Sequence, residues 1–165
     1  MSKKSSNFAA DFVETYMVRT LESPLVVLDQ LPVGRYELSF GLDSEYLANQ
    51  EESELLGGQV EARAELTLRE TDFDLMMHVK GGVQVACDRC LEPVTIVVDA
   101  SDRMDADDDR MENGKSVDLK WLAYELIVVN LPLTHRHPEG ECNPQMQALL
   151  QTHLCSASPE DPELQ

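Results

Sequence analysis

The clearest pattern along the chain is a two-residue alternation. In "VEARAELTLRE", Val60, Ala62, Ala64, Leu66 and Leu68 fall on one side and Glu61, Arg63, Glu65, Thr67 and Arg69 on the other. Side chains alternate across a strand, so this predicts a long β-strand with one buried and one solvated face, as antiparallel sheets allow. After a polar turn at Thr71-Asp72 the alternation resumes with Phe73, Leu75, Met77 and Val79. Upstream, Tyr36, Leu38 and Phe40 alternate with Glu37 and Ser39. Downstream, Gly81-Gly82 reads as a turn or bulge, "VQVAC" as a short strand and "VTIVVDA" as another. Consecutive strands on short turns predict an antiparallel meander.

The period changes at residue 118. Asp118 is a good N-cap, and Leu119, Leu122, Leu126 and Val129 recur at helical spacing, flanked by Trp121, Ile127 and Val128. Pro132 ends this helix at or before Leu131. Glu125 belongs at its boundary with solvent. Asn143-Pro144 opens a short terminal helix with proline at its first position, followed by Met146, Leu149, Leu150 and His153. Residues 8–32 show no clean period and are punctuated by Pro24 and Pro32. "DSEYLANQEESELLGG" reads as an acidic loop with one helical turn.

Residues 99–117 break the alternation. Asp99, Asp102, Asp105, Asp107, Asp108, Asp109 and Glu112 crowd together, which reads as a mobile acidic loop over 99–112. The spacing of Asp105, Asp107 and Asp109 invites comparison with a calcium loop. Arg110 stands where such a loop needs glycine and Ser116 where it needs a bidentate glutamate, so the comparison fails. The expectation is a single α+β domain over 8–155, with flexible tails at 1–7 and 156–165. Its meandering antiparallel sheet, able to curl toward a barrel, packs against one long and one short C-terminal helix.

Charge narrows the function. Thirty-one acids against thirteen Lys and Arg give a net charge of −18. Nucleic-acid binding draws on cations that neutralise phosphates, and no basic run extends beyond Lys3-Lys4. A basic protein partner suits this surface better than RNA or DNA, although acidity also serves solubility alone. No apolar signal region precedes Asp11 and Glu14, and the most apolar segment, "WLAYELIVVNLPL", is short and holds Glu125. The reading is a cytoplasmic protein, where paired cysteines point to metal or redox chemistry rather than a structural disulfide.

"VACDRCLEPVTI" carries that pair. Cys87 and Cys90 sit on a tight turn between two strands, which can direct both sulfurs onto one ion. The second half of a four-ligand site is offered by "HPEGEC", with His137 and Cys142 across a turn containing Pro138 and Gly140. The candidate metal set is therefore Cys87, Cys90, His137 and Cys142, with structural zinc as the cofactor. His135 is an alternative nitrogen and Cys155 an alternative sulfur, whereas His78 and His153 read as ordinary strand and helix histidines. Two further readings compete: a redox pair, and reduced thiols with no metal. Thioredoxin-type pairs lie where a strand meets a helix, but Pro93 and the run Val94–Val98 predict a strand here. No nucleophile elbow, P-loop or dinucleotide fingerprint is present, so the chain reads as a non-enzyme with no small-molecule substrate.

Taken in order, "CDRCLEPV", the strands before it, and "VDLKWLAYELIVVNLPL" followed by "HPEGEC" resemble the YceD-like family. That family comprises bacterial and plastid proteins linked to accumulation of large-subunit ribosomal RNA. The resemblance spans roughly residues 15–150, about one whole domain. "GECNPQM" is similar to the form in Bacteroidetes-type members. His135 departs from the family pattern, where many members carry proline or an apolar residue; His137, just before Pro138, fits the ligand position better. The resemblance implies a role in ribosome biogenesis affecting 23S ribosomal RNA, without a known catalytic activity. Together with the charge, it points to contact through a basic ribosomal protein or large-subunit assembly factor.

Overall fold

The computed structural model describes residues 17–51, 53–107 and 116–154. The expected tails at 1–7 and 156–165, Cys155, and residues 108–112 of the acidic segment lie outside them. In chain order the elements are β1 (Val18–Thr20), β2 (Leu25–Val27), a short 3-10 helix (Leu28–Gln30), β3 (Gly34–Leu42), α1 (Ser44–Ala48), β4 (Leu55–Leu68), β5 (Phe73–Ala86), β6 (Pro93–Asp105), β7 (Ser116–Asp118), α2 (Leu119–Val129) and α3 (Pro144–Leu154). The fold is α+β. A five-stranded sheet runs in the order β1-β3-β4-β5-β6, and β2 pairs with β7 in a separate two-stranded ribbon. β3 to β6 form the antiparallel meander; β1 joins β3 in parallel. The sheet stays open, with β1 and β6 at its two edges.

The alternation in the sequence becomes the alternation of burial. Val60, Ala62, Ala64 and Leu66 on β4 are buried, as are Phe73, Leu75, Met77 and Val79 on β5, while the residues between them face solvent or are half-buried. α2 lays Leu119, Leu122, Ala123, Leu126 and Ile127 onto this apolar face. Its start is set by Asp118, whose Oδ1 accepts hydrogen bonds from the backbone N–H of Lys120 (2.9 Å) and Trp121 (3.2 Å). Val129, expected on the buried side, is 75% exposed. The helix ends there, and Asn130 and Leu131 turn the chain away by bonding back to Ile127 and Val128.

Three expectations fail for related reasons. Gly81-Gly82 is neither a turn nor a bulge: β5 runs through it in unbroken register, so "VQVAC" is the second half of that strand. Leu55–Gly58, expected at the end of a loop, opens β4. Its register against β5 shifts by one residue between Leu55 and Gly57, a bulge that resets which parity faces the core. The glycines serve close backbone approach. A Cβ on Gly58 would lie 2.5 Å from the Gly82 carbonyl oxygen, and one on Gly81 2.2 Å from that of Gln59.

The third failure is the acidic loop: residues 99–105 are strand. Asp99, Arg103 and Asp105 take the solvent-facing parity of β6. Asp99 pairs with His78 (2.9 Å) and Lys80 (3.2 Å), and Arg103 with Asp74 (2.7 Å), across the β5–β6 ladder. The hydrogen bond from His78, and then that from Lys80, holds the Asp99 carboxyl below its usual range. Charge density that suggested a loop is thus neutralised by partners on the next strand. No helix among the described residues is long and apolar enough to cross a membrane.

Candidate metal centre

The β5–β6 connection is a knuckle. Cys87 N–H donates to the Glu92 carbonyl and Leu91 N–H to the Cys87 carbonyl, both at 2.9 Å. Closing so tight a turn puts Leu91 in the left-handed region, φ 61°, a conformation that disfavours a side chain by about 1 kcal/mol. The turn brings the backbone N–H groups of Cys90 and Arg89 onto the Cys87 sulfur. Both knuckle sulfurs point inward; Cys87 and Cys90 belong to the continuous buried core.

The other half of the centre comes from the segment between α2 and α3. Asp88 ties it down: its N–H donates to the His135 carbonyl, and its Oδ2 accepts from the His135 N–H, each at 2.7 Å. This clamp presents His137 two residues on. Farther along, Asn143 donates through Nδ2 to Glu92 Oε1 (2.8 Å) and accepts at Oδ1 from the Gln145 N–H (2.9 Å), joining the start of α3 to the knuckle.

Cys87, Cys90, His137 and Cys142 meet between these two halves. One donor atom from each lies within 4.8 Å of all the others. The Cys87 and Cys142 sulfurs are 3.8 Å apart, too far for a disulfide. His137 Nδ1 is 3.4 Å from the Cys90 sulfur and 3.9 Å from that of Cys142. Its Nε2 donates to the Pro93 carbonyl at 3.1 Å, which leaves the Nδ1 lone pair facing the sulfurs. The four residues expected from spacing are therefore gathered in one place and could hold a metal ion. His135 is not among them: Asp88 occupies its backbone, and its ring Nε2 is buried without a hydrogen-bond partner. His78 is engaged by Asp99 and lies outside the group, as does His153.

The electrostatics favour a cation. Burial pushes the Cys87 thiol up, but the Cys90 and Arg89 N–H groups, followed by His137, outweigh it and bring the pKa to about 5. Burial pushes Cys142 up as well, and hydrogen bonds to the Cys87 and Cys90 sulfurs and their charge reinforce it, to about 11. Without an ion the centre thus keeps a proton on Cys142. An ion bound here would take the place of that proton.

Asp88, Glu92 and Asn143 were not legible as site residues. Asn143 carried a helix-start signal; nothing in the spacing linked Asp88 to a segment 47 positions away. Asp88→Ala is expected to weaken metal retention by about 10- to 100-fold, the usual effect of removing a group that orients a ligand. Competition with a chromophoric chelator measures this.

No protein-family model, no curated protein and no solved structure matches the chain.

Proposed function

We propose that this chain is a zinc-stabilised scaffold of ribosome biogenesis, of the YceD-like type, and not a catalyst. Its acidic surface engages a basic ribosomal or large-subunit assembly protein in the cytoplasm and thereby supports accumulation of 23S ribosomal RNA. The observation that carries the reading is the geometry of the three sulfurs and one nitrogen. Zinc bonds sulfur at about 2.3 Å and nitrogen at about 2.0–2.1 Å, so tetrahedral coordination separates two sulfurs by about 3.8 Å and sulfur from nitrogen by about 3.5 Å. Three of the six spacings are 3.8, 3.4 and 3.9 Å, and all six fall within 4.8 Å. Four protein ligands leave no open position for substrate, which makes the ion structural. The motifs "CDRCLEPV" and "HPEGEC" supply the link to the family, and the −18 charge favours a basic protein over direct RNA contact.

The protein is expected to co-sediment with large-subunit precursors at low ionic strength. It should be released as salt rises toward about 1 M, where screening shortens to about 3 Å. Recovery in the free fraction alone at low salt would defeat the proposal. The depressed Cys87 thiol favours a second reading, a thiol oxidoreductase using Cys87 and Cys90. Against it, Cys87 is fully buried. Turnover in an insulin-reduction assay, abolished by Cys90→Ser, would establish that second reading.

A further inference from the structure

We propose that the outer edge of β6, together with the groove beside α2, docks an extended basic segment of a partner protein. The inference deepens the reading of the chain as an acidic scaffold by assigning the surface that meets the partner.

β6 is the last strand of the sheet, and its register shows which of its backbone groups point outward. The Cys87 N–H to Glu92 carbonyl bond continues the register that pairs Ala86 with Pro93. Antiparallel ladders alternate bonded and non-bonded pairs. The even residues Val94 to Met104 therefore bond to β5. Thr95, Val97, Asp99, Ser101 and Arg103 turn their N–H and carbonyl groups away from it. Among the described residues these outward groups have no backbone partner. Pro93 obeys the same parity: it lacks an N–H where none is used, and its carbonyl is taken by His137 Nε2. The metal centre thus closes one end of the edge. Among the described residues the run from Thr95 to Arg103 stays open, about 26 Å at strand rise.

A groove of about 460 Å³ lies alongside, lined in part by Ser101, Asp102, Tyr124, Glu125, Val128 and Val129. An added strand would lie about 4.8 Å beyond β6 and drop alternate side chains into it. Among the described residues the lining offers the Glu125 carboxylate and the exposed Val128 and Val129, with no lysine or arginine. Lysine and arginine match that mixture, with an aliphatic stem on the valines and a cationic head at Glu125, drawn in by a chain of net charge −18. A second copy is a poor occupant. Two chains that each carry a net charge of −18 repel one another. Pairing with a strand while reading its alternate side chains is a known mode of peptide recognition.

The test uses the full chain and a labelled peptide of about ten residues, the length of the open edge, alternating lysine and valine. Fluorescence anisotropy is expected to show binding at least about tenfold tighter than for a glutamate-valine peptide of equal length. Ser101→Pro removes an outward N–H without touching the ladder, and should weaken binding about tenfold. A fully N-methylated peptide keeps its charge but donates no strand bond. It should bind as weakly, which preserves the test if Ser101→Pro folds poorly. Equal binding of both peptides, or of the proline variant and the wild type, would reduce the attraction to diffuse charge and overturn the proposal. A wild-type dimer in light scattering that Ser101→Pro dissolves would also overturn it, in favour of self-pairing. Peptide binding without co-sedimentation would sink the ribosomal reading and keep the edge. Co-sedimentation unaffected by Ser101→Pro would do the reverse.

Discussion

Cys142→Ser is expected to yield protein that no longer retains zinc through purification and that melts well below the wild type. The wild type should carry one zinc per chain by elemental analysis. Of the four candidate donors Cys142 lies farthest along the chain from the knuckle, 55 positions from Cys87, and it is 3% exposed inside the core. Losing it breaks the link that closes this long loop and leaves a buried hydroxyl beside the Cys87 and Cys90 sulfurs. Structural zinc in small domains contributes about 10–16 kcal/mol of apparent binding energy, much of it as folding energy. This protein also has an extended apolar core, so a smaller loss of about 4 kcal/mol is reasonable, or roughly 8–16 °C in melting temperature at about 2–4 °C per kcal/mol. Chelator should lower the wild-type melt toward the variant and leave the variant unmoved. Cys155→Ser should retain zinc. Metal uptake at neutral pH should also release the proton that Cys142, at about 11, holds in the empty centre. Calorimetry in buffers of different ionisation enthalpy detects this. A variant that keeps its zinc, or a wild type purified without any, would dismantle the proposed centre.

The second large effect belongs to the sheet. Gly81→Ala is expected to destabilise the protein by about 3 kcal/mol, the upper range for overpacking. Its new Cβ would lie 2.2 Å from the Gln59 carbonyl oxygen and 2.7 Å from the Val60 Cα. Both are backbone atoms of the neighbouring strand, so no rotamer change relieves the contact and β4 itself must move. Gly58→Ala should behave alike, since it meets the Gly82 carbonyl and Val83 Cα and also sits at φ 144°. Two glycines of the same sheet make the contrast. Gly41 has nothing within 4 Å of a Cβ, and Gly82 meets the Thr95 Cγ2 at 3.4 Å. Gly41→Ala should leave stability unchanged or raise it slightly by restricting the unfolded chain. Urea melts of the four variants give the ranking. Equal effects at Gly81 and Gly41 would show that the close approach of β4 and β5 does not constrain the fold.

The three strands with clean alternation were legible because local burial pattern and tertiary role coincide in them. Leu66 and Leu75 read as inward positions and are inward. The same rule misread Asp99–Asp105. Its charges are satisfied by His78, Lys80 and Asp74 on a strand some twenty to thirty positions away, and no local window contains those partners. The Gly57-Gly58 and Gly81-Gly82 pairs were read as punctuation because glycine favours turns. At Gly58 and Gly81 it permits two backbones to approach, a property of the pair of strands and of neither alone. β1 and β2 had no periodic signal to offer; three residues each are too few to show one.

The ligand set was legible by chemistry: cysteine and histidine at metal spacing are scarce enough to be matched across a long insertion. Between His135 and His137, spacing alone left the choice open. The structure gathers His137 and not His135 with the three sulfurs: Asp88 occupies the His135 backbone, and the Pro93 carbonyl orients the His137 ring. The sequence by itself thus determined the strand faces, the start of the main helix, the charge and the candidate donors, because each depends on neighbours within a few residues. Tertiary structure alone decided the strand lengths, the open edge of β6 and the assembly of the centre. Those depend on groups that meet across 20 to 55 positions, where only the folded backbone sets which atoms come within bonding distance.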